Sequence, residues 1–482
     1  MQNYNFKTKP FKHQENALKD SWDAEYYALF MEMGTGKSKV AIDNIGVLYS
    51  QGELNAALVI APKGVYDNWV KGEIPAHLPE SVTRKVLRWE PKKTKAYTEE
   101  LEDFIMEPFE GLKLFVMNVE ALSTQRGAQT AGRFLVQNPE NMVVVDESTT
   151  IKNRKASRTK NLQVLQKYAK YRRILTGSPI TKSPMDLFSQ CYFLEPRALG
   201  YNSYFAFQNR YAIIRQQTMG HRSFQEIVGY RRLDELNERL TGFSTRILKT
   251  ECLDLPEKLY TTRYVPLTAE QGKLYNQMKS MALAQLDNGE LATTTSVLTQ
   301  IMRLQQICCG HFTPDVGEIR SLDSNRLDEL MNITEELQGK CIIWASYTHD
   351  IQRIHSALRD CFGPEAVALY YGETPQEERQ LIVERFQDPE DPLRFFVGQP
   401  KTGGYGITLT AATTVVYFSN SYDLEIRLQS EDRAHRIGQK NTVTYIDLVS
   451  PETLDEKILT ALKNKVNLAE TVLGEEARQW FQ

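Results

Sequence analysis

The chain has 482 residues, of which 41% are hydrophobic and 25% are charged, and its formal net charge is −3. This length predicts about two to four domains of ordinary globular composition. The charge excludes a global polycation, so any nucleic-acid surface must be local.

The six cysteines form no C-x-x-C pair, which argues against a zinc module and fits a reducing cytosol. The N-terminal residues lack the apolar core of a signal peptide, and no apolar run approaches transmembrane length. We therefore expect a cytoplasmic protein with no membrane partner.

Near the N-terminus, a helix is expected to begin at about Gln14. This residue lies about twenty residues before a glycine-rich stretch. Its amide both donates and accepts hydrogen bonds, so it could contact an adenine edge, and Phe11 could line the base pocket. The alternative is an ordinary surface helix.

The glycine-rich stretch is Met31–Ser38, with the sequence Met-Glu-Met-Gly-Thr-Gly-Lys-Ser. An apolar run at Tyr26–Phe30 predicts a buried strand before it, and Ser38–Tyr49 predicts a helix after it. Strand, glycine-rich turn and helix are typical of a phosphate-binding loop. An ordinary turn is the alternative, because Met31 stands where the pattern has its first glycine.

Within this loop, Gly34 and Gly36, on either side of Thr35, would let backbone N–H groups surround a polyphosphate. Lys37 would contact the β- and γ-phosphates of ATP, and the Ser38 hydroxyl would hold Mg²⁺. These five residues are the predicted nucleotide contacts of the loop.

Further apolar runs predict parallel strands that end in polar residues, at 56–63, 113–118, 142–149 and 172–179. One of these runs delivers Asp146 and Glu147 to a strand end. Asp146 would coordinate Mg²⁺, and Glu147 would orient and deprotonate an attacking water. The alternative is a loop with two solvated acids.

Two later segments allow more than one interpretation. The basic run Lys152–Lys160 is either a solvated face or a contact with phosphodiesters. Residues 185–253 are dense in Tyr, Phe and Arg, which can stack on nucleic acid, although packing aromatics with solvated arginines is the favoured interpretation. Leu255-Pro256-Glu257 could mark a hinge.

Residues 269–306 predict amphipathic helix, and strand–helix alternation then restarts from Cys341 and continues to a last helix at 454–472. Near its end, Arg433 and Arg436 lie three residues apart on a predicted helix, 424–436, and therefore share one face. They could act as arginine fingers on a γ-phosphate. The alternative is an arginine-rich surface helix with acidic partners.

Taken together, these motifs resemble the Swi/Snf-type ATPases of helicase superfamily two. The resemblance rests on Met-Gly-Thr-Gly-Lys-Ser, on Asp146-Glu147-Ser148-Thr149 with Ile151-Lys152-Asn153, and on Leu175–Ile180. It rests further on Gly403–Ala412 and on the string Gln-Ser-Glu-Asp-Arg-Ala-His-Arg-Ile-Gly-Gln at Gln429–Gln439. It covers nearly the whole chain.

The resemblance implies an α/β fold of two RecA-like doubly wound parallel-sheet lobes in tandem, at 1–255 and 256–482, with helical insertions near 185–250 and 270–310. It implies ATP and Mg²⁺ as cofactors, with Gly406 among the nucleotide contacts. It implies a monomeric motor that translocates along double-stranded DNA, plain or forked. The residues at positions where the family touches DNA are Lys63, Asn118, Lys152, Ser346, Lys401 and Thr402.

This chain departs from the family at Ser148-Thr149, which replaces Gly-His or Ala-His, and at Gln399-Pro400, which replaces Ser-Thr. Three alternatives to a DNA translocase remain: an RNA helicase of the same superfamily, a remodeller of a DNA-bound protein such as a polymerase, and a catalytically silent DNA-binding scaffold. The intact Lys37, Asp146 and Glu147 speak against the scaffold.

Overall fold

The structure is a computed structural model, and it describes residues 4–63, 65–219, 222–252, 255–287, 294–314, 318–403 and 407–473. The chain forms two compact units, mainly Met1–Asp254 and Leu255–Val466. Within the described ranges, no helix is both long enough and apolar enough to cross a membrane.

The first unit alternates strands and helices. Its strands are β1 (Tyr26–Met31), β2 (Ala56–Ala61), β3 (Arg84–Arg88), β4 (Leu112–Asn118), β5 (Asn141–Asp146), β6 (Tyr171–Leu175), β7 (Ala212–Met219), β8 (Arg222–Tyr230) and β9 (Ser244–Ile247). Its helices are α1 (Lys12–Ser21), α2 (Lys37–Ser50), α3 (Tyr66–Asn68), α4 (Ile74–His77), α5 (Lys95–Met106), α6 (Gln125–Gln137), α7 (Ser157–Leu165), α8 (Asp186–Leu194), α9 (Tyr204–Tyr211), α10 (Leu233–Thr241) and α11 (Lys249–Cys252). A π-helical turn joins α3 to α4, and 3₁₀ turns lie at Val119–Ser123, Ser148–Ile151 and Gln166–Tyr168.

Seven strands of the described chain form one parallel sheet in this unit, in the order β3-β4-β2-β5-β6-β1-β9. Alternate side chains of each strand enter different cores, as in β1. There, Ala28 and Phe30 pack into one apolar cluster, whereas Leu29 and Met31 pack into another. Because both faces are covered, the strands β1, β2, β4 and β5 are mainly apolar, and the sheet is doubly wound.

The second unit also alternates strands and helices. Its strands are β10 (Lys258–Tyr264), β11 (His311–Phe312), β12 (Arg320–Ser321), β13 (Lys340–Trp344), β14 (Val367–Tyr370), β15 (Phe395–Gly398), β16 (Ala412–Tyr417) and β17 (Val443–Val449). The helices after Leu255 are α12 (Ala269–Asp287), α13 (Thr294–Cys309), α14 (Asn325–Glu336), α15 (Thr348–Phe362), α16 (Gln376–Gln387), α17 (Pro400–Gly403), α18 (Leu424–Glu431) and α19 (Leu454–Leu473). A further 3₁₀ turn lies at Pro364–Ala366.

Six described strands of the second unit form a parallel sheet in the order β10-β17-β16-β13-β15-β14. In β13, Cys341 and Ile343 face one core while Ile342 and Trp344 face the other. The predicted fold class, two RecA-like parallel-sheet lobes with helices between the strands, is therefore confirmed.

Local differences from the sequence analysis have physical causes. The segment expected as a helical insertion near 185–250 also contains the antiparallel hairpin β7–β8 and the edge strand β9. Strands β3 and β10 were not predicted either. Both lie at sheet edges, where one side of the strand faces solvent and charged residues interrupt the apolar pattern.

Arg427 of α18 is the centre of a buried polar network in the second unit. Its guanidinium donates to Asp447 on β17 and to Glu431, with the Nε–Oε1 distance at 2.7 Å, and lies 3.6 Å from the Tyr417 ring centre. Burial acts to raise the pKa of Glu431, but Lys258 and Arg427 outweigh it and hold that pKa below its ordinary value. The network fixes α18 against the sheet.

We expect Arg427→Ala to lower the free energy of unfolding by about 3–5 kcal/mol, because it leaves Asp447 and Glu431 buried without their cation. Urea denaturation measures the change. Arg263→Ala is the matched control, since Arg263 is 45% exposed and pairs with Glu329 and Glu336 at the surface; its loss should stay below about 1 kcal/mol. Equal losses for the two variants would contradict this assignment.

Candidate nucleotide-binding and hydrolysis site

Three loops lie side by side at the carboxyl edge of the first sheet. They follow β1, β6 and β5, which are consecutive neighbours in the strand order. The first is the glycine-rich loop. The second, here called the middle loop, contains Thr176–Pro179, and the third, the acidic loop, contains Asp146 and Glu147. Ligands of open α/β sheets bind at this edge.

The glycine-rich loop has the backbone that its sequence predicts. Gly34 and Gly36 have φ values of 79° and 89°, in the left-handed region that favours glycine. Gly36 is the N-cap of α2, and Lys37 and Ser38 form its first turn. The N-terminus of this 14-residue helix therefore opens directly behind the loop, where its N–H groups favour an anion.

Gln14 and His13 of α1 hold this loop in place. Gln14 Nε2 donates to the carbonyl of Thr35 at 3.0 Å, and His13 Nε2 lies 2.8 Å from the same oxygen. Gln14 Oε1 accepts from the backbone N–H of Phe11. A Cβ on Gly36 would lie 2.2 Å from Gln14 Nε2. Gln14 thus packs against the glycine-rich loop, and its adenine contact stays a prediction.

The acidic loop places its two carboxylates by different means. Asp146 Oδ2 accepts from the indole Nε1 of Trp69 at 2.8 Å, and Asp146 Oδ1 accepts from the backbone N–H of Glu147 at 2.9 Å. Glu147 has φ 47° and ψ 62°, a left-handed conformation that is costly for a residue with a side chain. Such strain is common where a side chain must be aimed for function.

An ion pair joins the glycine-rich loop to the acidic loop. Lys37 Nζ lies 3.3 Å from Glu147 Oε1, and the two side chains are 10% and 11% exposed. Burial raises the pKa of Asp146, while the nearby Lys37 ammonium opposes that shift. The three groups that the sequence analysis assigned to phosphate, metal and water are thus one electrostatic cluster.

The chemistry of this cluster fits a hard divalent cation. Asp146 supplies carboxylate oxygens, Ser38 supplies a hydroxyl, and Mg²⁺ completes such sites with water and phosphate oxygens. The buried Asp146 carboxylate, whose pKa is raised by desolvation, would be relieved by a bound cation. The residues present therefore suit Mg²⁺, and its binding stays a prediction.

The middle loop touches the glycine-rich loop directly. A Cβ on Gly177 would lie 3.0 Å from the backbone nitrogen of Met33, so a glycine is needed for this close approach. Arg246 of β9 donates to the carbonyls of Phe30 and Gly177, at 3.1 Å and 3.0 Å. Arg246 therefore ties the end of β1 to the middle loop.

The middle loop is also bonded to the acidic loop. The Ser148 hydroxyl donates to Gln190 Oε1 at 2.7 Å, and Gln190 Nε2 donates to the carbonyl of Pro179 at 2.8 Å. Lys152 Nζ donates to the Thr181 hydroxyl. The departure from the family at Ser148 thus has a buried partner in this chain.

The predicted DNA contacts of the first unit lie at the same edge. Lys63, Asn118 and Lys152 follow β2, β4 and β5, and β2 pairs with both of the other strands. Lys63 is exposed, Asn118 donates to Glu120 at 3.0 Å, and Lys152 is partly buried. The structure brings the three strand ends together, and their contact with DNA stays a prediction.

The predicted contacts of the second unit follow neighbouring strands of its own sheet. Ser346 follows β13, and its N–H donates to the Ser419 hydroxyl at 2.8 Å. Lys401 and Thr402 lie on α17 after β15, which pairs with β13. Gly406 lies outside the described residues.

Arg433 and Arg436 lie close together, but not on a helix as predicted. Helix α18 ends at Glu431, and the backbone continues in turns, in which Ala434 N–H bonds to the Glu431 carbonyl. Arg433 Nη1 and Arg436 Nη1 both donate to the carbonyl of Ile407, at 3.0 Å and 3.3 Å. The two guanidinium groups therefore lie together because they share the Ile407 carbonyl as acceptor, not because of helical spacing. Their role as arginine fingers stays a prediction.

The sequence analysis missed three residues of the first site: Trp69, Gln190 and Arg246. Each acts on a partner more than 40 residues away. Trp69 begins a π-helical turn, a feature frequent at functional sites but without a sequence signature. Only the fold brings these side chains to the loops.

Comparison with known proteins bears on this arrangement. The SNF2-related domain family matches residues 20–313, and the helicase conserved C-terminal domain matches residues 324–438. These matches contain the three loops of the first unit and the two arginines of the second.

Individual relatives are longer proteins. The chain is 27% identical to the putative ATP-dependent helicase/translocase YwqA of Bacillus subtilis over 92% of this chain and 46% of that protein. It is 26% identical to the probable ATP-dependent DNA helicase CHR12 of Arabidopsis thaliana, over 92% of this chain and 39% of that protein. The chain thus spans less than half the length of these relatives.

Among solved structures, the chain is similar to the Sulfolobus solfataricus SWI2/SNF2 ATPase core in complex with dsDNA. The sequence identity is 25%, the TM-score is 0.43, and the match covers 95% of this chain and 92% of that one. The SNF2-related match alone covers more than half of the chain, and the protein therefore belongs to the SNF2 family.

Proposed function

We propose that this chain is an ATP-hydrolysing motor that binds double-stranded DNA and translocates along it. The observation that carries the proposal is the Lys37–Glu147 ion pair at the carboxyl edge of the first sheet. It holds a phosphate-binding cation within 3.3 Å of a carboxylate suited to activate water. An enzyme that transfers a phosphoryl group to water needs these two groups at opposite sides of one phosphate.

The roles follow from the contacts. The N–H groups of the Gly34–Lys37 loop would surround the phosphates, and Lys37 would leave Glu147 for the β- and γ-oxygens. Glu147, released from the ammonium, would accept a proton from the attacking water. Mg²⁺, held through Ser38 and Asp146, would neutralise charge on the phosphate oxygens.

DNA as the track is supported by family membership and by the position of the candidate contacts. Lys63, Asn118 and Lys152 follow adjacent strands in one unit, and Ser346 and Lys401 follow adjacent strands in the other. Two separate units with comparable edges suit a motor that grips a backbone at two places. The names of the relatives, helicase and helicase/translocase, agree with this assignment.

A remodeller that displaces a DNA-bound protein would hydrolyse ATP and move along DNA with the same residues. An RNA helicase of the same superfamily is the competing assignment, and it differs in the nucleic acid that stimulates hydrolysis. The sequence Arg-Ala-His-Arg-Ile-Gly-Gln at 433–439 favours the Swi/Snf-type DNA motor.

We expect Lys37→Ala to abolish ATP binding and hydrolysis, and Glu147→Gln to retain ATP binding while hydrolysis falls by about 10²–10⁴, the contribution of a general base. Steady-state phosphate release and nucleotide binding measure the two effects. Glu140→Gln is the matched control, because Glu140 lies at the opposite end of β5 and is paired with Lys170 at the surface. Wild-type turnover in folded Lys37→Ala and Glu147→Gln proteins would refute the site.

Loss of either arginine should lower kcat by roughly 10³–10⁵ if it stabilises the transferring phosphoryl group. Single-turnover hydrolysis by Arg433→Ala and Arg436→Ala tests this, with ATP binding as the folding control. Arg359→Ala, an exposed arginine near the end of α15, should turn over normally. A kcat unchanged in both variants would make the pair structural.

We expect blunt double-stranded DNA to stimulate ATP hydrolysis strongly, without strand separation. The measurement compares matched duplex, single-stranded DNA, forked DNA and RNA at one salt concentration, because backbone binding depends on salt. A response to RNA alone would establish the RNA helicase instead. Hydrolysis that is unaffected by any nucleic acid would remove the translocase assignment while leaving the ATP site intact.

A further inference from the structure

The stretch between Glu147 and Asp186 is exceptionally basic for this chain. It contains ten Lys and Arg residues and no acidic residue, although the whole chain has a net charge of −3. Several of these cations lie on two loops at the carboxyl edge of the first sheet: Lys152, Arg154 and Lys155 after β5, and Lys182 after β6. The edge beside the candidate hydrolysis site therefore carries a local positive charge.

Two of the cations on these loops are available to a ligand. Lys155 and Lys182 are exposed, and within the described residues no carboxylate forms an ion pair with either of them. At the amino edge, Lys170 is paired with Glu53 and Glu140, whereas Lys167 is exposed.

An exposed aromatic ring lies next to this charge. Most aromatic residues of 185–253 are packed in the first core, including Phe188, Phe193 and Phe207, as the favoured interpretation of the sequence expected. Phe205 on α9 differs from them, because 61% of its surface is exposed. Packing in the core therefore does not account for the position of the Phe205 side chain.

Arg154 and Tyr204 hold the Phe205 ring in a fixed setting. The Arg154 guanidinium lies 4.3 Å from the Tyr204 ring centre and 5.2 Å from the Phe205 ring centre. The two rings meet edge to face at 5.9 Å. A guanidinium in such contact adds a positive charge beside the flat face of an aromatic ring.

The supporting elements connect this surface to the site. The Tyr204 ring packs on Phe188 of α8 at 5.6 Å, and the loop before α8 carries Lys182. The Lys152 ammonium bonds to Thr181 of that same loop. Phe205, Arg154, Lys155 and Lys182 therefore belong to one surface that continues into the acidic and middle loops.

We propose that Phe205 and Arg154, flanked by Lys155 and Lys182, form a platform that binds an unpaired stretch of DNA next to the duplex track. The proposal rests on the proposed function and names the DNA structure that the motor distinguishes. A base stacks on the Phe205 ring or on the Arg154 guanidinium, and the lysines contact its phosphates.

The chemistry favours an unpaired strand over the alternatives. Inside a duplex both faces of each base are covered by its neighbours, and only the two terminal base pairs offer a face to an exposed ring, whereas every base of an unpaired strand can offer one. A protein partner would use the ring as an anchor, but the cations of these two loops, Lys152, Arg154, Lys155 and Lys182, suit a polyanion. Stacking also tolerates any sequence, as a motor requires.

The test measures binding by fluorescence anisotropy to a blunt duplex and to the same duplex with a single-stranded thymidine overhang, at one salt concentration. Wild-type protein should bind the overhang substrate more tightly. Phe205→Ala should weaken overhang binding by about tenfold, the value of one stacked base, and change blunt-duplex binding less than about twofold. Phe205→Trp should restore overhang binding.

Tyr168→Ala is the matched control, because Tyr168 is a 48% exposed aromatic residue of the same unit just before β6, at the other edge of the sheet. It should bind both substrates as wild type does. Lys155→Ala should reduce the salt dependence of overhang binding by about one counterion. Thermal unfolding confirms that each variant is folded.

Equal loss on both substrates, or no loss on either, would overturn the platform, as would a wild-type protein that binds both substrates equally. These results leave the proposed function standing, because wild-type duplex binding and duplex-stimulated hydrolysis are read separately. If wild-type protein bound no DNA at all, the proposed function and the platform would both fail.

Discussion

The Lys37–Glu147 ion pair is the interaction on which the rest of the first unit depends. Its 3.3 Å separation joins residues that are 110 positions apart in the chain. Only the strand order β5-β6-β1 brings them to one edge. A buried pair of this kind adds little to stability, because desolvation offsets the attraction. We propose that it keeps the two side chains at one edge of the sheet until a nucleotide binds and Lys37 turns to its phosphates.

The contacts between the loops explain how this distance is kept. β6 lies between β1 and β5, and its loop fills the space between the other two. Gly177 admits the backbone of Met33, Arg246 bonds the middle loop to the end of β1, and Gln190 bonds it to Ser148. The Ser148–Gln190 bond is buried, and each of these contacts holds the middle loop to one of its two neighbours.

The sequence predicted what depends on local pattern. The apolar runs predicted β1, β2, β4, β5 and β6. The glycines predicted the turn of the glycine-rich loop, because a positive φ favours glycine over other residues. It did not predict Trp69, Arg246 or Gln190, which act through long-range contacts. It placed Arg433 and Arg436 on a helix that ends at Glu431, because a helical period continues through a turn whose carbonyl partner, Ile407, lies elsewhere in the chain.

The aromatic segment shows why pattern and structure must be combined. Its Tyr and Phe residues look alike in the sequence, and most of those whose side chains the structure describes pack into the core that supports β6 and α8. Burial separates Phe205 from the others, and the contact with Arg154 gives its exposure a physical context. A single exposed phenyl ring needs no explanation by itself. Here the adjacent charge is positive and uncompensated, so a strand that supplies both flat bases and phosphates satisfies the ring and the cations together.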